Sequence, residues 1–307
     1  MAAVMAREGL LEQRQLGMTG ARVSVLGFGG APAGLTDYLG LWDAGADSSE
    51  AAAVGAIRRA LDLGITYFDT APGYGEGRSE EIFGRGLGGD RSRVFLATKV
   101  TARDWHRAAL GASVESSLRR LRTDYLDLVQ YHGGWLTDAD ADRLLDADTL
   151  ALCARLRDEA KIRFLGFTAE GPTGAAERVI ASAAFATVML PYSLTHQMTR
   201  AYRNRNLPEA TALSLARATG LGTIAMRTLT SGLFRRWLAV IGADETFDWH
   251  RALLSFALSH PQIDVALVGM RTAEEVERNV AAADPRWRVD HADLHDGYGA
   301  TRERRRS

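Results

Sequence analysis

Four residues of this chain stand where a proton could be moved: Asp69, Tyr74, Lys99 and His132. Asp69 closes the β-branched and aromatic run Ile65–Phe68, which has the character of a short buried strand. Tyr74 follows in a loop whose Gly73, Gly75 and Gly77 give the backbone freedom to fold a phenol back over the strand end. Lys99 comes one residue after the apolar run Val94–Ala97, and a lysine at the inner end of a buried strand is costly without a partner, for which Asp69 is the candidate. His132 follows Leu126–Tyr131 in the same way. Taken singly, each has an ordinary structural reading: a capping Asp, an exposed Tyr, a snorkelling Lys, a core His. Together they describe general acid catalysis, because a phenol with a pKa near ~10 becomes a better proton donor beside an ammonium group.

Such a set needs elements that bring several strand ends to one place. Strand-like runs at Arg22–Gly30, Ile65–Phe68, Val94–Thr98, Leu126–Tyr131, Ile162–Phe167, Thr187–Leu190, Gly222–Met226 and Val265–Val268 alternate with helical patterns. The helices are expected over Ser48–Leu63, Ser79–Leu87, Trp105–Leu121, Ala139–Ala160, Thr173–Ala183, Pro208–Thr219, Asp248–Ser259 and Thr272–Ala282. No Pro/Gly/Ser-rich linker divides them, so the spacing predicts one α/β domain over residues 1–283, a closed (β/α)8 TIM barrel, with a polar C-terminal tail over 284–307. All eight strand ends then face one mouth. Gly84, Gly86 and Gly89 match G-x-G-x-x-G in spacing, but they close a helix and precede a strand, the reverse of the order a dinucleotide fingerprint needs.

Composition narrows the partner. A net charge of −1, with 46% hydrophobic and 24% charged residues over 307 positions, lacks the basic excess that nucleic acid or an anionic membrane demands. No apolar run approaches the ~20 residues of a membrane span, and the N-terminus lacks a signal-peptide core, so a cytoplasmic protein with a small-molecule partner is expected. The one cysteine, Cys153, lies in an apolar helical run and reads as a packed thiol. His291 and His295, spaced by four among aspartates, read as a solvated segment and no metal site is assigned; Arg302, Arg304, Arg305 and Arg306 read as a free end. Nothing in the sequence specifies an oligomeric state. Trp42 in the first loop and Trp135 after His132 read either as an apolar wall of a substrate pocket beside Tyr74 and His132 or as exposed aromatics without a role.

From Gln15 to Ala283 the chain resembles the aldo/keto reductase superfamily, in a form of bacterial type. The carrying motifs are Gly64–Ala71 with Tyr74-Gly75, Ala97-Thr98-Lys99-Val100, Ser117–Leu121 with Asp124–Leu128 and His132, and Lys161-Ile162-Arg163 before Gly166. The resemblance implies NAD(P)-linked interconversion of a carbonyl (aldehyde, ketone or sugar) and an alcohol. Tyr74 would be the general acid/base, Lys99 would lower its pKa, Asp69 would hold Lys99, and His132 would orient the carbonyl oxygen. A non-catalytic nicotinamide-binding regulatory subunit on the same fold is the alternative.

For the cofactor, the resemblance implies contacts from Gly30, Asp69, Thr168, Met226, Arg227, Leu229, Ser231, Gly232, Gly269, Arg271, Glu275 and Asn279. Arg227–Gly232 correspond to a pyrophosphate-wrapping loop. The chain departs from the family where a Ser-Asn pair and a Gln hold the nicotinamide carboxamide: it has Thr168-Ala169 and Met189. Met226 stands in place of a stacking aromatic. Near the adenosine end Arg271 suits a 2′-phosphate and Asn279 the adenine, while Glu275 opposes the phosphate. NADP(H) is expected with modest preference and NAD(H) as an accepted second. That expectation turns on whether Arg271 points inward and Glu275 outward.

Overall fold

In the computed structural model, residues 11–38, 42–171, 173–195, 212–241 and 246–290 are described. Eight strands close a barrel: β3 (Leu26–Gly29), β4 (Tyr67–Asp69), β5 (Phe95–Thr101), β6 (Leu126–His132), β7 (Ile162–Thr168), β8 (Thr187–Pro191), β9 (Gly222–Met226) and β10 (Val265–Gly269). Every neighbouring pair is parallel, and β10 pairs with β3 to complete the ring. The expected (β/α)8 architecture is therefore present.

Side chains alternate across the wall with the two-residue period of a strand. Tyr67, Phe95, Ala97, Leu128, Met189, Ile224 and Val265 form the small apolar cluster inside the barrel. Phe28, Phe68, Leu96, Val129, Phe167 and Val188 belong to the larger layer shared with the helices. In that outer layer Phe28 stacks on Phe68 and both meet Phe83 edge-on, at centroid separations of 5.5–6.2 Å. Burying each such aromatic is worth roughly 1.5–3 kcal/mol.

The helices are α1 (Ala31–Gly34), α2 (Asp47–Asp62), α3 (Arg78–Leu87), α4 (Leu110–Leu121), α5 (Asp138–Leu144), α6 (Ala147–Asp158), α7 (Gly174–Ala181), α8 (Ala212–Ala218), α9 (Leu233–Ile241), α10 (Trp249–Ser259) and α11 (Ala273–Ala282). Gly84 and Gly86 lie within α3, where a Cβ would strike Arg120 O at 2.6 Å and Ile57 at 2.8 Å; they are packing glycines against α4 and α2.

Several boundaries differ from the sequence expectation. The run Arg22–Gly30 is two strands: Arg22–Ser24 (β2) pairs antiparallel with Gln13–Gln15 (β1), and only Leu26 onward enters the barrel. Leu16, at the turn of this hairpin, is fully buried within the interior cluster, and Met18 N donates to Gly220 O at 2.7 Å, so the hairpin closes the amino-terminal end of the barrel. Ala139–Ala160 is two helices because two caps lie within reach: Thr137 makes a capping box with Asp140, and Asp146 Oδ2 accepts from Thr149 N at 2.8 Å. The Trp105 helix begins at Leu110, and Trp105 is instead a buried loop residue packed edge-on against Tyr131. Helix α9 has no counterpart in the expectation. Residues 284–290, where a solvated tail was expected, run along the barrel: Arg288 pairs with Glu12 at 3.2 Å and Val289 N donates to Ser259 Oγ at 2.9 Å. His291, His295 and the terminal arginines lie outside the described residues.

Candidate active site

The carboxyl ends of β4, β5 and β6 place three of the four candidate residues, Asp69, Lys99 and His132, side by side, and the loop after β4 adds Tyr74. Lys99 and Asp69 are both almost fully buried, and the Lys99 ammonium donates to Asp69 Oδ1 and to Thr70 O, the latter at 2.9 Å. Gln130 Nε2 donates to the other Asp69 oxygen at 2.7 Å. Lys99 Nζ lies 4.9 Å from the centre of the Tyr74 ring. The Tyr74 and His132 rings meet edge to face, with centroids 5.7 Å apart.

The loop that carries Tyr74 is clamped at both ends. Gly75 and Gly77 take φ of 69° and 95°, in the left-handed region, and a Cβ on Gly75 would lie 2.1 Å from Gly34 O. Thr70 Oγ1 donates to Ser79 Oγ at 2.7 Å, which donates to Gly30 O at 2.9 Å. Glu80, in the first turn of α3 and wholly buried, accepts from Thr98 Oγ1 and from Arg120 Nε, both at 2.6 Å. The Arg120 side chain in turn lies against Gly77, where a Cβ would be 2.5 Å from its Cδ. Thr98 is the residue before Lys99, so one buried carboxylate ties the Tyr74 loop to the strand that holds the lysine.

Burial decides the protonation states. It raises the Tyr74 phenol above its usual range, outweighing the downward pull of Lys99; this corrects the expectation of a net depression. Tyr74 is thus fully protonated at neutral pH, and Lys99 offsets part of the cost of the phenolate. Burial alone would depress the Lys99 ammonium, but Asp69 and Tyr74 outweigh it and hold the group charged. Burial pushes the Asp69 carboxyl up against the pull of Lys99 and the Gln130 amide. Burial and Lys99 together drive His132 down to about 3, so it stands as a neutral imidazole. Cys153 is buried in α6, its thiol pushed up to about 11 by burial.

A cleft of about 260 Å³ opens over these residues, lined by Asp69, Tyr74 and His132 on one side and by the loop after β9 on the other. Of the expected cofactor contacts, Gly30, Asp69, Met226, Arg227, Leu229, Ser231, Gly232 and Gly269 line it. The rest do not. The Thr168 hydroxyl is consumed by the backbone just after β6, donating to Gly133 O at 2.7 Å and accepting from Gly133 N at 2.8 Å. Asn279 is buried with its Oδ1 2.8 Å from His250 Nε2. Arg271 and Glu275 face each other: Glu275 accepts from the Arg271 backbone N–H at 2.7 Å and from its guanidinium at 3.1 Å. Neither the inward Arg nor the solvent-facing Glu of the expectation holds alone.

The two tryptophans also stand apart from the cleft lining. Trp42 packs its ring under the Arg271 guanidinium, 5.1 Å away, and Trp135 is 62% exposed, its ring lying on Gly171. The cleft contains Met189, at the position where the family offers a Gln, and two residues that the sequence reading passed over: Tyr38 and Glu170. Gln130 could have been found, since it shares the inward face of β6 with Leu128, two residues before His132. Glu170 follows the end of β7 and so obeys the strand-end rule that singled out His132. Tyr38 lies in an irregular loop and has no such signal.

A family model for the aldo/keto reductase family matches residues 38–291. The chain is 30% identical to L-galactose dehydrogenase of Arabidopsis thaliana, over 89% of this chain and 88% of that protein. Among solved structures, a putative aldo-keto reductase from Pseudomonas aeruginosa superposes with a TM-score of 0.70 at 29% identity, covering 92% of this chain and 98% of that one. An aldo/keto reductase from Klebsiella pneumoniae in complex with NADP and acetate superposes with a TM-score of 0.70 at 25% identity, covering 93% and 94%. With its parallel barrel and its Asp69–Lys99–Tyr74–His132 cluster, the chain belongs to the aldo/keto reductase family.

Proposed function

We propose that this protein is a cytoplasmic NAD(P)H-dependent reductase of small carbonyl compounds, running in reverse as an alcohol dehydrogenase, with residues 1–283 as its catalytic unit. The observation that carries the reading is the Tyr74 ring 4.9 Å from the charged Lys99 ammonium, lining one cleft with neutral His132. A reduced nicotinamide supplies the hydride when it is bound. Tyr74 donates its proton to the carbonyl oxygen, Lys99 stabilises the phenolate that remains, Asp69 and Gln130 fix Lys99, and His132 donates a hydrogen bond that aims the oxygen at Tyr74.

The cleft suits a dinucleotide in its central part. The loop after β9 bends through positive φ at Arg227, Thr230, Ser231 and Gly232, turning backbone around the cleft in the manner of an anion-binding nest. A Cβ on Gly269 would strike Pro32 at 2.4 Å and one on Gly30 would strike Ser79 Oγ at 2.5 Å, so bare backbone lines the cleft at both positions. Met189, Met226 and Leu267 give an apolar floor for a flat ring. At the adenosine end, Arg271 keeps a cation for a 2′-phosphate while Glu275 neutralises part of it. The Klebsiella relative's complex with NADP supports the same preference, so NADPH is favoured modestly and NADH accepted.

The test is loss of reduced-nicotinamide absorbance with a panel of aldehydes and ketones, with NADPH and NADH side by side. Tyr74→Phe should lower kcat/KM by more than tenfold, about 1.4 kcal/mol or more of transition-state stabilisation, with cofactor affinity little changed. A Phe variant that keeps over a tenth of the activity removes Tyr74 from the role. A parent that prefers NADH removes the phosphate assignment. A parent that binds the nucleotide and reduces nothing returns the chain to the regulatory-subunit reading.

A further inference from the structure

The ends of β7 and β9 are bridged at the cleft by one ion pair. Arg227 Nη2 donates to Glu170 Oε1 at 2.6 Å, and both side chains line the same cleft as Tyr74 and His132. They are 48% and 28% exposed, so a ligand in the cleft can reach them. The contact uses one carboxylate oxygen and one guanidinium nitrogen. Among the described residues the second Glu170 oxygen and the remaining Arg227 nitrogens have no other hydrogen bond. The Glu170 backbone N–H donates to Gly134 O at 2.9 Å, which ties this residue to the loop following His132. Asp69 is committed to Lys99 and Gln130, and Thr228 Oγ1 to Leu267 O at 3.3 Å. Glu170 and Arg227 are thus the charged groups of the cleft with bonding capacity left over.

We propose that Glu170 and Arg227 clamp a hydroxyl adjacent to the reacting carbonyl, so that the preferred substrates are neutral α-hydroxy aldehydes and ketones, short sugars included. The inference rests on the carbonyl-reductase reading. The pair is neutral as a unit and presents an acceptor oxygen beside N–H donors. A hydroxyl donates and accepts at once and satisfies both sides. An ionised acid of similar size would meet the Glu170 carboxylate beside the guanidinium, and a plain alkyl carbonyl would leave both groups without a new partner while displacing their water.

Lactaldehyde and propanal differ by a single α-hydroxyl, and pyruvate replaces the neutral group by a carboxylate. The parent should show kcat/KM for lactaldehyde at least tenfold above propanal, with pyruvate the poorest of the three. Glu170→Ala should reduce the lactaldehyde-to-propanal ratio about tenfold, and Glu170→Gln, which keeps a neutral acceptor, by less. Thermal melts establish that the variants fold, and cofactor Kd is read by fluorescence titration. A parent ratio near one, or a ratio unmoved in a folded Glu170→Ala protein, overturns the clamp. A cofactor Kd weakened tenfold with the ratio unmoved also overturns it, by placing the pair on the nucleotide. Absence of turnover with every carbonyl removes the reductase reading itself, and the clamp with it.

Discussion

His132 is the clearest case of a residue whose chemistry is set by depth. Its imidazole is driven to about 3 by burial and by the Lys99 ammonium, against an ordinary value of 6.5. The unfolded chain therefore takes up a proton there near pH 6.5 while the native protein does not until near pH 3. The group's contribution to stability is present above pH 6.5 and is lost as the pH falls through that window. His132→Gln should flatten this dependence: urea melts at pH 7 and pH 4.5 should show the parent losing on the order of 1–2 kcal/mol more than the variant. An equal loss in both proteins would mean that His132 is protonated in the folded state. The Tyr74 phenol illustrates the same limit from the other side. That Lys99 would neighbour it was legible from strand-end positions, but which of two opposing effects wins depends on how far the hydroxyl is withdrawn from water, and no residue spacing encodes that.

Glu80 acts at the level of elements. It links α3, β5 and α4 through Thr98 and Arg120, and Arg120 braces Gly77 in the Tyr74 loop. Removing the carboxylate leaves Thr98 and the Arg120 guanidinium without their partner, at a cost of about 2–4 kcal/mol, and frees the loop to shift. Glu80→Ala should therefore lower kcat about tenfold with cofactor Kd within a factor of two to three of the parent. Glu80→Gln, which retains an acceptor for Thr98, should recover part of kcat. If the Ala variant melts lower yet keeps kcat in full, Glu80 holds the fold and nothing more. The sequence marks Glu80 only as an acidic residue in a first helical turn, where the dipole alone accounts for it. Its long-range partners are invisible without the register of β5 against α3. Helix boundaries failed for a related reason: the Thr137 and Asp146 caps lie within one apolar-periodic stretch, and periodicity alone runs straight through them.

For the whole molecule, the alternation of strands and helices made the barrel legible, because each strand buried on both faces reads as an apolar run and each helix shows one apolar stripe. The strand ends then pointed to the site. What escaped was everything carried by irregular chain: Tyr38 in its loop, the committed hydroxyl of Thr168, and the hairpin of Gln13–Gln15 with Arg22–Ser24, whose three-residue strands are too short to show a period. That hairpin has a consequence for traffic. With Leu16 buried in the interior cluster at the far end, the described residues leave the barrel open at one mouth, and under the proposed function cofactor and substrate would share it. On that reading a flat ring seated on Met189 and Met226 would lie beneath whatever reaches Tyr74, and the two would form a queue. The deeper one would then arrive first and depart last, and a slow exit by it would set the pace for the next.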